Sequence, residues 1–372
     1  MLVRPLSRAE HLAYVESLPS ASFLQCPAWG EVKSDWSAES LGWVDGDDRL
    51  RGAALVLYRR IPRTRWALAY VPEGPLLDWE SGDLAEWLRP FVAHLKRRRA
   101  FSVKMGPPVV VRRWKAETVK AGLRAAREGR HRRLAHLPPD AIDVAAEKVA
   151  GQLTDLGWRQ GPDTGGFADY QPRYLFHLPL TDRTPEEIFA GFNQQWRRNV
   201  RKAEKAGVEV DPGGPADLPA FHALYVETAR RDRFTSRPLA YFQRMYAALS
   251  AEHPDRIRLY LARHHGTLHA AALMVQVGIH AWYSYGASST VGRDLKPSNA
   301  VQWRMICDAR ATGAQLYDLR GISDSLEPDD PLVGLLQFKI GTGGEAVECL
   351  GEWDLPLNRV LHEAFQLYLR RR

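Results

Sequence analysis

Cysteine is scarce in this sequence of 372 residues: Cys26, Cys307 and Cys349 lie far apart and never form a C-x-x-C pair. This odd, dispersed set argues against a disulfide framework or a zinc site and is typical of a reducing cytoplasm. There is no run of about 18 apolar residues, so no segment is predicted to span a bilayer. The N-terminus carries acids and lacks the continuous apolar stretch of a signal peptide. We therefore expect a cytoplasmic protein, with peripheral contact at the inner face of the membrane left open.

The signatures of several enzyme classes are also missing. The sequence contains no Gly-rich Walker loop, no G-x-S-x-G turn and no His/Glu metal motif. Three histidines occur in "HHGTLH" (264–269), but a turn between two strands is the better interpretation. We expect no metal and no other cofactor.

Positive charge, by contrast, is abundant. The formal net charge is +7 and the pI is about 9.3, while hydrophobic residues make up 45% of the chain, which is ample for packed cores. A basic protein favours polyanionic partners such as nucleic acid, nucleotide phosphates or an anionic membrane surface. The length predicts about two domains.

The most basic segment is predicted to be an amphipathic helix. Thr184 suits the N-cap, Glu187 closes a capping box, and Gly207 suits the position after the C-terminus. An apolar row repeats every four residues: Ile188, Phe192, Trp196 and Val200. The opposite side is cationic, and consists of Arg197, Arg198, Arg201, Lys202 and Lys205. A solvated basic face would explain this pattern, and so would a track for the phosphates of a nucleic acid.

Strands and helices alternate along the rest of the chain, which indicates an α/β fold. Residues 51–60, 65–77 and 101–111 are predicted to be strands, and 83–99 and 141–160 helices. Residues 257–289 follow the pattern of a three-stranded meander. The segment 334–355 is predicted to be a loop followed by a final strand, and 356–371 the last helix.

Five segments, in order, resemble the FemABX family of non-ribosomal peptidyltransferases, which build peptidoglycan bridges. The resemblance is carried by "FLQCPAWGEVKSDW" (23–36), "WRRNVRKAEKAGVEV" (196–210), "RDRFTSRPLAYFQRMY" (231–246), "AWYSYGAS" (281–288), and the closing block "YDLRGI" (317–322) with "GLLQFKIGTGGEAVECLGEWDLPLN" (334–358). It covers nearly the whole chain.

The resemblance implies two tandem GNAT-like domains with mixed central sheets flanked by helices. We expect residues 1–171 and 356–372 to form the first domain and 172–355 the second. The long antiparallel helical arm of some members is absent, because 207–221 passes through a short Pro/Gly turn. Gly106 replaces an acid that many members carry, and the basic stretch 112–135 has no evident counterpart.

The activity that the resemblance implies is transfer of Gly, Ala or Ser from aminoacyl-tRNA to a side-chain amine of the stem peptide in a UDP- or lipid-linked muramyl pentapeptide. Such aminolysis of an ester needs stabilisation of the developing oxyanion, with no metal or enzyme nucleophile. Lys339 is the candidate catalytic cation, and Phe338 is a candidate for positioning the aminoacyl ester. A lysine that protects a strand edge is the structural alternative.

Further residues are assigned to substrates by the same resemblance. Lys33 and Arg237 are expected near the diphosphate of the precursor, Tyr241 beside Arg237 on one helical face, and Trp36 and Tyr285 against sugar or peptide. For each aromatic residue taken alone, core packing is the commoner role. The candidates for tRNA or an anionic surface are Arg197, Arg198, Arg201, Lys202 and Lys205. A monomer is expected.

Three other functions fit the sequence. A GNAT acyltransferase using acyl-CoA is the nearest, although its Arg/Gln-x-x-Gly-x-Gly/Ala loop is not found. A non-catalytic RNA- or lipid-binding protein would keep the charge without needing Phe338 and Lys339. The same aminoacyl transfer onto an acceptor of an antibiotic pathway also remains open.

Overall fold

The computed structural model of the protein describes residues 1–80, 82–161 and 171–370, with the side chains of 369 and 370 excepted. Within them the chain forms two compact units. The first comprises Met1–Arg113, Ala141–Arg173 and Val347–Arg372, and the second Trp114–Asp140 and Tyr174–Ala346.

Strands and helices alternate in both units. The strands are β1 (Leu2–Pro5), β2 (Ser37–Val44), β3 (Leu50–Arg60), β4 (Ala67–Val71), β5 (Ala100–Met105), β6 (Val110–Lys115), β7 (Ala141–Ile142), β8 (Arg159–Gln160), β9 (Tyr174–Pro179), β10 (Glu209–Gly213), β11 (Ile257–His264), β12 (Thr267–Val277), β13 (His280–Ser288), β14 (Leu316–Gly321), β15 (Glu345–Cys349) and β16 (Trp353–Pro356). The helices are α1 (Arg8–Ser17), α2 (Trp29–Val32), α3 (Ala85–Arg97), α4 (Ala116–Arg127), α5 (Val144–Asp155), α6 (Pro185–Gly191), α7 (Gln194–Lys205), α8 (Leu218–Asp232), α9 (Leu239–Glu252), α10 (Pro297–Ala311), α11 (Val333–Ile340) and α12 (Arg359–Arg370).

The first unit is built on a seven-stranded mixed sheet in the order β1-β2-β3-β4-β5-β16-β8. Only β4 and β5 run parallel among its pairs. Helix α3 buries Trp87, Phe91 and Leu95 in the core, as its apolar spacing predicts. Helix α12 packs on β5, where the rings of Phe101 and Phe365 lie 5.5 Å apart.

The second unit contains the strand order β10-β11-β12-β13-β14-β9. The predicted meander is confirmed: β11, β12 and β13 are successive antiparallel strands, and the first turn places His265 and Gly266 in the left-handed region. Strands β13 and β14 are parallel from His280 opposite Leu316 to Trp282 opposite Asp318. One face of the sheet packs on α7 and α10 through a shared apolar core.

Apart from a shift of two residues at Arg173, the observed division departs from the predicted ranges in two places. The segment Trp114–Asp140, which holds most of the basic stretch 112–135, belongs to the second unit because Trp114, Val119 and Leu123 are buried in that unit's core. Residues from Val347 onward belong to the first unit, where β16 pairs with β5. The boundary between two units depends on which core buries a segment's apolar side chains. A segment rich in charged residues does not show from its sequence which core that is.

The prediction of one continuous basic helix was wrong. Its start is confirmed, since the Thr184 hydroxyl accepts the Glu187 N–H at 3.2 Å, and so is its left-handed end at Gly207. The helix is interrupted between these two ends. Phe192 is extended, and the Asn193 side chain accepts the Trp196 N–H at 2.8 Å as the N-cap of a second helix, α7. Asparagine favours an N-cap over a helix interior because its side chain competes for backbone hydrogen bonds.

No long helical arm is present in the described residues, where α7 is followed directly by β10. In the same part of the chain, no helix combines the length and hydropathy that crossing a bilayer requires.

Candidate functional site

Lys339 lies on α11 and is buried, with 3% of its surface exposed. The expectation of a loop or strand edge was wrong, because Leu336, Lys339 and Ile340 together form the inward face of a helix. The three- and four-residue spacing of Val333, Leu336 and Ile340 was a usable signal for that helix.

The ammonium of Lys339 is held by the end of strand β14. Its Nζ donates hydrogen bonds to the carbonyl oxygens of Gly321, at 2.6 Å, and Arg320, at 3.3 Å. Burial lowers the pKa of Lys339 to about 7, against a raising effect of the Asp318 carboxylate and a further lowering effect of Arg320. The charge of this side chain therefore changes near neutral pH.

Phe338 joins this helix to the basic helix α7. Trp196 donates its indole N–H to the Phe338 carbonyl at 2.7 Å, and the two rings lie 4.8 Å apart. Gly341 lies so close that an added Cβ would meet the Trp196 ring at 2.0 Å. The apolar face of α7 is thus docked on the element that carries Phe338 and Lys339.

The outward face of α7 carries four exposed cations, namely Arg198, Arg201, Lys202 and Lys205. Arg197, predicted to join them, is half-buried, and its Nη1 donates to the carbonyl oxygens of Ala190 and Phe192, both at 2.6 Å. It satisfies carbonyls at the end of α6 that would otherwise lack partners. Arg201 lies over the ring of Phe189 at 5.4 Å.

Replacing Arg197 with alanine is expected to destabilise the protein by about 1–3 kcal/mol, because two charge-assisted hydrogen bonds to the end of α6 are lost. Thermal unfolding measures this effect. The matched variant Arg198→Ala, at an exposed position on the same helix, should leave stability within about 0.5 kcal/mol. Equal stability of both variants would contradict the capping role of Arg197.

An open cleft of about 480 Å³ lies beside this basic face. Phe189 and Trp303 contribute aromatic surface, and Arg201, Glu186 and Glu204 contribute charge of both signs. Arg201 belongs to both surfaces, and Glu186 and Glu204 make the charge of the cleft mixed.

A second group of predicted residues meets on α9 and β13. The hydroxyls of Tyr241 and Tyr285 lie 3.0 Å apart, and the guanidinium of Arg237 lies 4.7 Å from the centre of the Tyr241 ring. Arg237 precedes α9, which begins at Leu239, so the shared helical face predicted for Arg237 and Tyr241 was wrong although the contact exists. Burial raises the pKa of Tyr241 well above its usual value, so its hydroxyl keeps its proton.

The remaining predicted residues belong to the first unit. Lys33 follows α2, with its ammonium 5.7 Å from the Trp29 ring centre. Trp36 is half-buried and packs against Tyr70, with ring centres 6.1 Å apart.

Gly106 is enclosed by the first unit. A Cβ at this position would meet the side-chain oxygen of Gln171 at 2.1 Å, and that oxygen accepts the N–H of Glu73. An acidic side chain at position 106 would therefore collide with the Gln171 amide.

Sequence reasoning missed a buried charged cluster next to Lys339. Asp318 on β14 is 1% exposed, and its carboxylate faces His177 and His280 at 3.8 and 3.7 Å. These residues lie on three different strands, with His177 and Asp318 141 positions apart, and no local motif links them.

Comparison with known proteins adds a family assignment to this geometry. Residues 6–265 and 261–370 match the FemAB family. Lipid II:glycine glycyltransferase of Staphylococcus haemolyticus (strain JCSC1435) is 26% identical, over 97% of this chain and 94% of that protein. The enzyme of the same name from Staphylococcus aureus (strain MRSA252) is 24% identical, with 97% and 94% covered.

Solved structures with the same fold include FemX, with a TM-score of 0.81 and 24% identity over 98% of this chain and 99% of that one. A tandem GNAT protein from the clavulanic acid biosynthesis pathway has a TM-score of 0.52 and 12% identity, with 95% and 97% covered. The prediction of two tandem GNAT-like domains is confirmed.

Proposed function

The chain belongs to the FemAB family of transferases, and from this premise we propose that it transfers an aminoacyl group from tRNA to the stem-peptide amine of a peptidoglycan precursor. One observation supports the proposal most directly. The helix that carries buried Lys339 is bound through Phe338 to Trp196 of α7, whose outer face is cationic. A charged group for the reaction and a surface for RNA phosphates are thereby coupled in one unit.

The chemistry is aminolysis of an ester. The neutral amine of the acceptor attacks the ester carbonyl carbon, and an amide bond forms as the bond from that carbon to the ribose oxygen breaks. The proton released by the amine ends on the ribose oxygen. The ammonium of Lys339 stabilises the negative charge that develops on oxygen, either in the tetrahedral intermediate or on the leaving ribose.

The acceptor is assigned to the remaining predicted residues. Lys33 and Arg237 are proposed to contact its diphosphate, and Tyr241, Tyr285 and Trp36 its sugar or peptide. Planar aromatic and cationic side chains suit these groups. Because the two glycyltransferase relatives are named for lipid II and glycine, these are the substrates to test first.

A direct transfer assay tests the proposal. The pure protein is mixed with tRNA charged with labelled Gly, Ala or Ser, and with lipid II or the UDP-linked pentapeptide. Movement of label to the precursor would support the proposal, provided that RNase treatment abolishes it and that the Lys339→Met variant does not show it. Absence of transfer from folded protein, together with micromolar binding of coenzyme A by calorimetry, would favour an acyl-CoA-dependent transferase instead.

The rate of transfer, divided at each pH by the fraction of acceptor amine that is neutral, is expected to fall as pH rises through about 7, the pKa of Lys339. A lysine is charged below its pKa, so the stabilising cation is present on the acid side and is lost on the basic side. This fall on the basic side of the pH profile is called the basic limb. Single-turnover rates with saturating substrates, measured between about pH 5.5 and 8.5, measure it. Ester hydrolysis without enzyme is subtracted. A corrected rate that stays level or rises through the upper end would contradict a role for the ammonium.

A further inference from the structure

The end of strand β14 carries both acceptors of the Lys339 ammonium and is shaped by Asp318. The Asp318 carboxylate accepts the backbone N–H of Arg320, a residue with a left-handed φ of 65°. The register between β14 and β9 shifts between Asp318 and Gly321. This side chain therefore fixes the local turn whose carbonyl groups, from Arg320 and Gly321, hold Lys339.

Asp318 is also surrounded by groups that keep it ionised. His177 on β9, His280 on β13 and Arg320 approach its carboxylate at 3.8, 3.7 and 3.9 Å. Burial alone would raise the pKa of Asp318, but His280, His177 and Arg320 hold it well below its usual range. At neutral pH a negative charge is thus buried near enough to Lys339 to raise the pKa of its ammonium.

The other elements that pack on α11 supply apolar groups. Helix α4 contributes Val119 and Leu123 to the core and leaves Arg124 and Arg127 exposed. Helix α7 contributes Trp196. Among the described residues, Asp318 and Arg320 are the charges that act on the protonation of Lys339, and they act in opposite directions.

We propose that Asp318 is a positioning residue that keeps Lys339 charged and aims it for transfer. The proposal rests on the function assigned above, since it requires the ammonium of Lys339 to take part in the reaction. Asp318 does so in two ways: it supplies the compensating negative charge, and it fixes the backbone that accepts the ammonium's hydrogen bonds. His177 and His280 support it from the neighbouring strands by holding it ionised.

The first test is the pH profile of Asp318→Asn. This change keeps an oxygen that can accept the Arg320 N–H and removes the negative charge. Loss of an opposite charge at close range shifts a pKa by about one unit or more, so the basic limb of the transfer rate should move to lower pH by that amount. The loss of rate should therefore be about tenfold or more above pH 7 and small on the acid side. An equal loss at every pH would overturn the proposal.

Arg320→Asn provides the opposite control. Asparagine tolerates the left-handed conformation at this position, and the change removes the charge that lowers the pKa of Lys339. The basic limb should now move to higher pH. Two neighbouring substitutions that shift the profile in opposite directions cannot be explained by general loosening of the strand end.

Should Asp318→Asn fail to fold, the Arg320→Asn variant still tests the proposal. A basic limb that stays in place or moves to lower pH in Arg320→Asn would by itself overturn it.

A direct titration separates this inference from the proposed function. The ¹³Cε signal of Lys339, assigned by its loss in Lys339→Met, is followed by NMR against pH in the full-length protein. A midpoint near 7 that falls in Asp318→Asn supports control of the charge by Asp318, whatever the transfer assay gives. An unchanged midpoint overturns it. A midpoint that falls while the transfer profile stays in place would instead remove Lys339 from the proposed reaction.

Discussion

Replacing Lys339 with methionine is expected to lower kcat for aminoacyl transfer by about two to three orders of magnitude, the loss typical of removing one oxyanion donor. Methionine has a similar length and no charge, so it fills the buried space around α11 without supplying the hydrogen bonds now made to Gly321 and Arg320. KM for aminoacyl-tRNA should change little, because Lys339, with 3% of its surface exposed, is no part of the outer basic face. Steady-state kinetics measures both constants.

The stability of Lys339→Met should stay near that of the wild type. Removing a buried charge relieves a desolvation cost, while the two carbonyl groups lose a donor, and these effects oppose each other. Lys148→Met, at an exposed position of α5, is the matched control and should be fully active. Retained transfer in Lys339→Met would show that the ammonium is dispensable for the reaction and would remove Lys339 from the proposed catalytic role.

Reversing three charges on the outer face of α7, by Arg198→Glu, Arg201→Glu and Lys205→Glu together, is expected to weaken tRNA binding by about a hundredfold or more at low salt. Each lost phosphate contact also reduces the slope of log affinity against log salt by about 0.7 to 0.9. The defect should appear in KM for aminoacyl-tRNA and leave kcat at saturation unchanged, because these side chains point away from Lys339's side of the helix. Salt-dependent binding and steady-state kinetics measure the two effects.

The control for this variant is a triple charge reversal on α3, at the exposed residues Arg89, Lys96 and Arg97. It changes the net charge equally, so a matching loss of affinity would mean that α7 acts only through overall charge. Normal tRNA binding with a large fall in kcat would instead make α7 part of the catalytic apparatus. Binding to vesicles of anionic lipid, tested with the same pair, distinguishes a membrane surface from RNA as the partner.

Local sequence patterns predicted much of the fold correctly. The capping box at Thr184, the left-handed position of Gly207 and the meander 257–289 all depend on residues within a few positions of one another, and the structure confirms them. The break at Asn193 was also local, but it was missed because the apolar row continues through it and Phe192 and Trp196 are both buried. The spacing of apolar residues indicates which side chains are buried. Side chains on both sides of a helix break can be buried in the same core, so this spacing does not show the break.

The candidate site was predicted less completely. The cations of α7 could be identified from the sequence, but the role of Arg197 could not, because its partners at Ala190 and Phe192 exist only once α6 ends where it does. Phe338 and Lys339 were found through the family resemblance, whereas their helical setting was not. Asp318 lies within the segment 317–322 that resembles the family, but the sequence indicates no role for it, since its neighbours His177 and His280 come from other strands.

The sequence by itself determined the family, the α/β class and the cationic outer face of α7, because each is carried by residue types and short-range spacing. The tertiary structure alone decided that the basic stretch after Trp114 packs in the second unit, and that Lys339 is buried against the end of β14. The physical reason is desolvation. The pKa of a titratable side chain depends on the groups that exclude water from it and on the charges that lie nearby. Segments far away in the sequence supply both.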